Sequence, residues 1–382
     1  MVERSSAQTM PSSLLPFAWR GLRRDGPPIH LTLFVTGACN LRCRHCFHWR
    51  EVEAGVPGPA AEDVERLAES CARMGPLLWV SFAGGEPFLR ADLPELARSF
   101  GSRGLRQLAI PTNGLVGATP ELAARMADEN PGTFVSVSIS FDGPPGVHDA
   151  IRKVPGGHGR SMEAVRALRR AADERDNLGI GLITCVTREN QDVLADHLEE
   201  LVDELRPDHA TVNLARTDAL DTTLLEVDPA RYAEVYQRKA ELERDGRLPG
   251  YGFAMSRVMR ARDQRMAAHV ERVARAGVQG ADPEQRVAPH LACTAGSLSA
   301  VVFEDGSVHP CEVLGESIGN LNDTDWDLGP VWSSPEAEEL RARIRATRCS
   351  CTWECAQGDN VLFSPRAWPG LLAETVLPGS TR

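Results

Sequence analysis

Apolar runs alternate with amphipathic helical patterns through the first part of the chain. Six runs have the length and composition of strands: His30–Thr36, Leu77–Ala83, Gly104–Pro111, Thr133–Phe141, Leu178–Val186 and Asp208–Leu214. Helical patterns separate them, at Ala60–Met74, Asp92–Ser102, Pro120–Asn130, Arg160–Glu174 and Asn190–Arg206. Strands that alternate with helices of this length form βαβ units with parallel strands. The pattern therefore predicts an α/β fold whose six units form an open barrel, with its ligands at the carboxyl ends of the strands.

Three cysteines follow the first predicted strand. Cys39, Cys43 and Cys46 have the spacing C-x3-C-x2-C. Thiolates are the protein ligands of iron–sulfur clusters, and a [4Fe–4S] cluster has one more iron than this loop has thiols. The remaining iron would be open to a small molecule. A zinc site with His45 or His48 as the fourth ligand is the alternative. A disulfide is not expected from cysteines this close together in a chain without an export signal.

Polar residues follow the later strands. Gly84, Gly85, Glu86 and Pro87 come after the second strand, where the glycines allow close approach of a ligand to the backbone and Glu86 can accept a hydrogen bond from an ammonium group. The turn Thr112-Asn113-Gly114 follows the third strand. Later strands are followed by polar residues, some of which are equally typical of helix caps: Ser140, Asp142, Arg152, Thr184, Asn190, Asn213 and Arg216. Of these, Ser140 and Asp142 would share one side of an extended strand and could meet ribose hydroxyls, and Arg152 could pair with a carboxylate.

Five further cysteines lie near the end of the chain. Cys293 and Cys311 flank a hairpin predicted by Asp305-Gly306, in the spacing C-x12-G-x4-C. Three more follow on one short segment: Cys349, Cys351 and Cys355. A zinc ribbon with four thiolate ligands also pairs a hairpin with a cysteine turn, so zinc remains an alternative for this group.

Two regions carry weaker signals. Charged helical patterns at Pro229–Arg244 and Ala254–Ala276 occupy residues 219–289, and the second pattern is basic through Arg257, Arg260, Arg262, Arg265, Arg272 and Arg275. A solvated helix face is the simpler interpretation, and a lid that contacts an acidic substrate is the alternative. Residues 359–382 show no clear pattern and are expected to form a tail.

Composition limits the function classes. The 382 residues suggest two to three domains, and the net charge of −11 argues against a general nucleic-acid binder. No apolar run approaches the length of a membrane span. Residues 1–29 are polar and proline-rich without the order of a signal peptide, so we expect a flexible segment in a cytoplasmic protein. Cys71 and Cys185 lie in a helical and a strand pattern, where small buried side chains are expected.

The cysteine loop, followed one βα unit later by Gly84-Gly85-Glu86-Pro87, resembles the signature of the radical S-adenosylmethionine (SAM) enzymes. The resemblance implies a partial (β/α)6 TIM-like barrel over residues 30–218. It implies that Cys39, Cys43 and Cys46 hold a [4Fe–4S] cluster whose open iron binds SAM, and that an electron from the cluster cleaves SAM to a 5′-deoxyadenosyl radical. The implied SAM-binding residues are His45, which replaces the usual aromatic residue, and Gly84, Gly85, Glu86, Pro87, Asn113, Ser140, Asp142, Arg152, Asn190 and Arg216.

The second cysteine group resembles the SPASM and twitch extensions of the same enzymes, which hold auxiliary [4Fe–4S] clusters. The resemblance covers residues 290–358. A pair of fully ligated clusters would need more thiolates than the five present, so we expect one auxiliary cluster. Cys293 and Cys311 should be ligands, together with two of Cys349, Cys351 and Cys355. Of these three, we expect Cys351 and Cys355 to matter more than Cys349.

The predicted function is that of an oxidoreductase or maturase that removes a hydrogen atom from a small polar molecule or a peptide. The implied cofactors are SAM, its [4Fe–4S] cluster and one auxiliary cluster, with an electron donor such as flavodoxin or ferredoxin. We expect neither a nucleic-acid partner nor a membrane partner. A maturase of a ribosomally made peptide would need a separate leader-binding partner, because 29 residues are too few for a leader-binding domain. The non-enzymatic alternative is a zinc-stabilised regulatory or scaffold protein.

Overall fold

Six parallel strands form the wall of a partial barrel. In the computed structural model, which describes residues 15–23, 26–215, 218–250, 256–277 and 291–376, these strands are β1 His30–Thr36, β2 Trp79–Gly84, β3 Gln107–Thr112, β4 Phe134–Ser140, β5 Leu178–Val186 and β6 His209–Leu214. Each pairs in parallel with the next along the chain. The helices around them are α1 Leu15–Arg23, α2 Trp49–Ala54, α3 Ala61–Met74, α4 Leu93–Gly101, α5 Thr119–Glu129, α6 Pro145–Arg152, α7 Gly157–Ala172 and α8 Leu194–Leu205. The α/β prediction is therefore confirmed.

Alternate residues along β2 and β3 have different surroundings. Val80 and Phe82 on β2, like Leu108 and Ile110 on β3, are fully buried beneath the helices, whereas the residues between them are partly exposed. These intervening residues face the concave side of the sheet. There, the Oγ atom of Ser138 lies 3.3 Å from Nε2 of His209 on β6. A Cβ atom on Gly181 of β5 would collide with both side chains, so the concave side holds small and polar residues.

A hairpin from the C-terminal part of the chain extends the same sheet. Its strands are β7 Ser299–Val302 and β8 Ser307–His309, followed by β9 Gly319–Asn320. The sheet order is β6-β5-β4-β3-β2-β1-β7-β8-β9, and β7 pairs in parallel with β1, with His30 opposite Ser299. The strand that leads into the first cysteine loop is therefore held on both sides, by β2 and by β7.

The remaining helices are α9 Pro229–Arg244, α10 Ser256–Arg275, α11 Leu328–Trp332, α12 Pro335–Thr347, α13 Glu354–Leu362 and α14 Trp368–Val376. Helix α10, expected from residue 254, is described from Ser256 and packs against α9, α13 and α14. Its Val270 and Val273 are fully buried. Arg260 donates to the backbone oxygen of Glu243 at 3.0 Å, and Arg265 lies against Gly370 of α14. These contacts make α10 a packed helix and do not support the proposed lid.

The ends of the chain differ from the expectation. Helix α1 lies within the segment expected to be flexible, and its Gly21 packs against Phe363. The segment predicted to be a tail begins inside α13 and includes α14. Helix α14 was not predicted, because its apolar run is short and weakly periodic. Residues 1–14 and 377–382 lie outside the described residues. In the part of the chain that is described, no helix is long and apolar enough to cross a membrane.

Candidate metal centres

The first cysteine loop leaves the carboxyl end of β1 and ends at α2. All three of its thiols are partly exposed. Cys39 accepts a hydrogen bond on Sγ from the backbone N–H of Leu41 at 3.4 Å, and the backbone N–H of His48 is bonded in the same way to Cys46. Burial raises the pKa of Cys43 to about 12 and that of Cys46 to about 11. Such thiols become thiolates when a metal binds them, so this set of donors fits an iron–sulfur cluster.

Two glycines allow the turn after β2 to pack on this loop. A Cβ atom at Gly84 would lie 2.2 Å from the carbonyl oxygen of Thr36, and one at Gly85 would lie 2.1 Å from that of Ala38. Because these glycines have no Cβ atom, Gly85 N–H donates to the carbonyl oxygen of Thr36 at 2.6 Å, and Glu86 N–H donates to that of Ala38 at 2.8 Å. The close approach of the two backbones therefore fixes the residue that precedes Cys39.

The carboxylate of Glu86 joins this turn to the turn after β3. Glu86 is 1% exposed. Its Oε1 accepts from Thr112 Oγ1 at 2.7 Å and from Phe88 N–H at 3.2 Å, and its Oε2 accepts from Asn113 N–H at 2.8 Å. Burial raises the pKa of Glu86, and these donors act in the opposite direction. Asn113 in turn donates from Nδ2 to Asn40 in the cysteine loop at 2.7 Å. Glu86 is thus an organising carboxylate, and any contact with the amine of SAM would add to these bonds.

We expect Glu86→Ala to weaken SAM binding and to leave the cluster in place. Loss of a hydrogen bond between charged groups costs about 1.5–3 kcal/mol, or roughly a 10- to 150-fold rise in Kd. Equilibrium dialysis of SAM against the reconstituted protein measures this change. Glu62, exposed on α3, supplies the control, since Glu62→Ala should leave the Kd unchanged. An unchanged Kd in Glu86→Ala with full iron content would remove Glu86 from the SAM site.

Asp142 forms a buried ion pair behind the cysteine loop. It is fully buried, and its Oδ2 accepts from Arg152 Nε at 2.7 Å while its Oδ1 accepts from Cys185 N–H at 3.0 Å. Burial alone would raise the pKa of Asp142, but the charges of Arg152, His45 and His148 lower it to about 2. The expected contact of Asp142 with a ribose does not fit this position. The period of two that placed it beside Ser140 fails because β4 ends at Ser140.

Arg152 brings a positive charge to the thiols. It is the last residue of α6 and is 8% exposed. Its charge lowers the pKa of Cys39, Cys43 and Cys46 against the larger effect of burial. Asp142 binds Arg152 through the Nε atom of the guanidinium group.

The other predicted SAM-binding residues have mixed positions. His45 lies 3.7 Å from Asp142, so it is beside the ion pair. Asn190 is fully buried and donates to the carbonyl oxygens of Asp142 and Cys185 at 3.1 and 2.8 Å, so it braces the loops and is not turned to a ligand. Pro87 begins a short 3₁₀ helix, and Ser140 is 9% exposed at the end of β4. Arg216 lies outside the described residues.

Several residues that hold the cysteine loop were not predicted. Arg44 bonds to Asp221 through Nε at 3.0 Å and to Glu189 at 2.7 Å. The loop also contacts the hairpin, because His48 Nε2 lies 2.6 Å from Glu304 Oε1. These partners lie 145 to 256 residues apart in the chain, and no local pattern relates them. Cys185, expected to be buried, is only partly so.

Four thiols of the second cysteine group line one cavity. They belong to Cys293, Cys311, Cys349 and Cys351, and the rest of the lining is apolar: Ala295, Val313, Leu314, Ile344 and Ala356. Within the described residues, no group of three or more His, Cys, Asp or Glu side chains is arranged to hold a single metal ion. Four thiols around an apolar cavity fit a fully ligated [4Fe–4S] cluster.

Backbone donors are directed at these thiols as they are in the first loop. The N–H groups of Ala295, Val313 and Trp353 donate to Cys293, Cys311 and Cys351, each two residues earlier. Burial raises the pKa of Cys311, and it raises that of Cys351 to about 12. The pKa of Cys293 is raised chiefly by a hydrogen bond with Cys349 and by burial. Neutral thiols that are surrounded by N–H donors suit a cluster that converts them to thiolates.

Cys355 does not reach this cavity. It is exposed and is the second residue of α13, whose buried face is formed by Ala356, Gln357 and Asn360. The expectation that one helical turn would bring Cys355 round to Cys351 fails because α13 begins only at Glu354. The structure therefore favours Cys349, the residue that we expected to matter least, as the fourth thiol.

The two cysteine groups contact each other. Phe47, which follows Cys46, packs edge-on against Trp353 with the ring centres 5.3 Å apart. Glu354 is buried and accepts on Oε1 from Leu214 N–H, at the end of β6, at 2.7 Å. The second cysteine group thus closes on the end of the barrel where the first group lies.

Two family models match the chain over these same regions. The Radical SAM superfamily model matches residues 33–201, and the SPASM model, described as an iron–sulfur cluster-binding domain, matches residues 293–356. They confirm the predicted radical SAM enzyme with a SPASM-type extension. Together they imply a SAM-binding [4Fe–4S] cluster, auxiliary iron–sulfur binding and SAM as cofactors. A zinc scaffold has no support in either match.

Curated relatives match chiefly through part of their length. An AdoMet-dependent heme synthase from Nitratidesulfovibrio vulgaris is 35% identical over 41% of this chain and 40% of its own. A PqqA peptide cyclase from Rhodopseudomonas palustris is 30% identical over 46% of this chain and 44% of its own. The chain thus spans less than half the length of these two relatives.

The fold itself is shared with a solved structure. The structure of native anSMEcpe with bound AdoMet and Kp18Cys peptide has a TM-score of 0.59 and 16% identity, and the match covers 92% of this chain and 99% of that one. At this identity the likeness concerns the fold alone.

Proposed function

Since the chain joins a radical SAM domain to a SPASM iron–sulfur domain, we propose that it cleaves SAM reductively and removes a hydrogen atom from its substrate. The observation that carries the proposal is the loop of Cys39, Cys43 and Cys46, which the Gly84-Gly85 turn holds at the carboxyl end of β1. When bound to these thiols, a [4Fe–4S] cluster would supply the electron that cleaves SAM to a 5′-deoxyadenosyl radical.

The surrounding residues would hold SAM beside that loop. Glu86 orders the turns after β2 and β3 and offers a negative charge near the amine of SAM. Arg152 is oriented by Asp142 and keeps the end of its guanidinium group for the carboxylate of SAM. His45, next to Cys46, offers a ring face for the adenine. Each of these groups is positioned before SAM arrives, which reduces the entropy cost of binding.

We further propose that the auxiliary cluster transfers electrons and does not bind substrate directly. Cys293, Cys311, Cys349 and Cys351 supply one thiol for each iron of a [4Fe–4S] cluster, so no iron is left open for a substrate atom. The aromatic contact of Phe47 with Trp353 keeps this site close to the first cysteine loop. Acceptance of an electron from a substrate radical would make the net reaction an oxidation.

For the substrate we propose a peptide. One matched relative supports this choice, because it is named for a peptide. The concave side of the sheet is lined by small and uncharged groups such as Ser138, Gly181 and Thr211. A flavodoxin or ferredoxin would serve as electron donor.

Iron and acid-labile sulfide analysis of the anaerobically reconstituted protein tests the cofactors, with 5′-deoxyadenosine formation from SAM and dithionite as the activity. We expect about eight irons, as a pair of [4Fe–4S] clusters requires, and steady formation of 5′-deoxyadenosine. Zinc in place of iron, or no cleavage of SAM, would contradict the proposal.

A labelling experiment tests the substrate class. A small-peptide fraction is prepared from an extract of cells grown in deuterated medium, and part of this fraction is treated with proteases. The untreated and the treated fractions are each added to the protein with unlabelled SAM. We expect deuterium in 5′-deoxyadenosine with the peptide fraction and its loss after protease treatment. Equal labelling by both fractions would assign the reaction to a small molecule.

A further inference from the structure

Two buried amide side chains connect the halves of the auxiliary site. Gln357 and Asn360 lie three residues apart on α13 and therefore on one face of the helix. They are 1% and 0% exposed. Fully buried amides are costly unless their polar atoms are bonded, so the partners of these two side chains indicate what they do.

Each amide reaches a cysteine of the auxiliary set. Gln357 donates from Nε2 to the Sγ of Cys351 at 3.4 Å and to its carbonyl oxygen at 3.0 Å. Asn360 is hydrogen-bonded to Cys293 through its side chain. It accepts on Oδ1 from the N–H and the hydroxyl of Thr294, at 2.7 and 2.9 Å. Asn360 Nδ2 also donates to Gln357 Oε1 at 3.2 Å, which orients the Gln357 amide toward the sulfur.

We infer that Gln357 and Asn360 are positioning residues that raise the reduction potential of the auxiliary cluster. An N–H donor at a ligating sulfur stabilises the more negative, reduced state of an iron–sulfur cluster. Backbone N–H groups already donate to thiols in both cysteine groups. At the auxiliary site, the side-chain amides of Gln357 and Asn360 add further hydrogen bonds to sulfur. This inference rests on the proposed function, in which the four thiols hold a cluster that accepts electrons.

The test compares variants that keep the volume and remove the donor. Gln357→Met has a similar shape without N–H groups. Asn360→Leu likewise has a similar shape without N–H groups and adds no charge. Redox titration followed by electron paramagnetic resonance should show the auxiliary signal at a more negative potential in both variants. The signal of the SAM cluster in the same sample should not move, and Gln237→Met, exposed on α9, should move neither signal.

The outcomes separate this inference from the proposed function. An auxiliary potential unchanged in Gln357→Met and in Asn360→Leu, at full iron content, would overturn the inference and leave the proposed function intact. If Gln357→Met does not assemble the auxiliary cluster, the potential of Asn360→Leu decides the question. Absence of an auxiliary signal from the unaltered protein would instead contradict the proposed function.

Discussion

Simultaneous replacement of Cys39, Cys43 and Cys46 by alanine should abolish the formation of 5′-deoxyadenosine from SAM and dithionite. The three thiols lie on one loop, and the described structure brings no other cysteine into that loop to replace them. Iron should fall to about four per chain, the content of one remaining [4Fe–4S] cluster. Chromatography of 5′-deoxyadenosine and a colorimetric iron assay measure the two effects.

Cys71→Ala provides the matched control for this experiment. Cys71 is 2% exposed within α3 and packs in the hydrophobic core, so its loss removes a thiol without affecting either cysteine group. We expect the control to keep about eight irons and full cleavage of SAM. Continued formation of 5′-deoxyadenosine by the triple variant would show that these thiols do not hold the cluster that cleaves SAM.

The second large effect is expected at the auxiliary site. Cys349→Ala should lose the auxiliary cluster, because Cys349 lines the four-thiol cavity and the other lining residues are apolar and offer no replacement ligand. Cys355→Ala should keep the cluster, since Cys355 is exposed and does not line that cavity. Both variants should still cleave SAM, whereas only Cys355→Ala should turn over substrate.

Iron counts and Mössbauer spectra of the two variants decide between these sets of ligands. Loss of the auxiliary cluster in Cys355→Ala together with its retention in Cys349→Ala would return the assignment to the pair expected from spacing. Each variant changes one cysteine of the second group and leaves the first cysteine loop unaltered. The spectrum of the cluster in that loop therefore serves as the reference in each sample.

The barrel was predictable because its determinants are local. Each of the six strands is an apolar run next to a helical pattern, and the order of these patterns along the chain is the order of β1 to β6 in the sheet. Helix α6 was missed because its eight residues are too few to establish a helical period. The pairing of β7 with β1 was also missed, since nothing in either segment indicates a partner more than 260 positions away.

In the candidate site, too, the features set by local sequence were predictable and the others were not. The glycines and Glu86 follow β2 directly, so their closeness to the cysteine loop follows from the neighbouring positions of β1 and β2. The role of Asp142 depended on where β4 ends, which a spacing of two residues does not reveal. The choice between Cys349 and Cys355 depended on where α13 begins. Gln357 and Asn360 gave no signal, because isolated amides in a helical segment are ordinarily solvated.

The parallel pairing of β7 with β1 has a consequence for how the protein can be divided. A truncation near residue 290 would remove β7 and expose the backbone groups of β1 along one side. Unpaired strand edges of this kind promote aggregation. The strand that carries the first cysteine loop would then also lose the neighbour that restrains it. We therefore expect the barrel and its C-terminal extension to unfold as one cooperative unit.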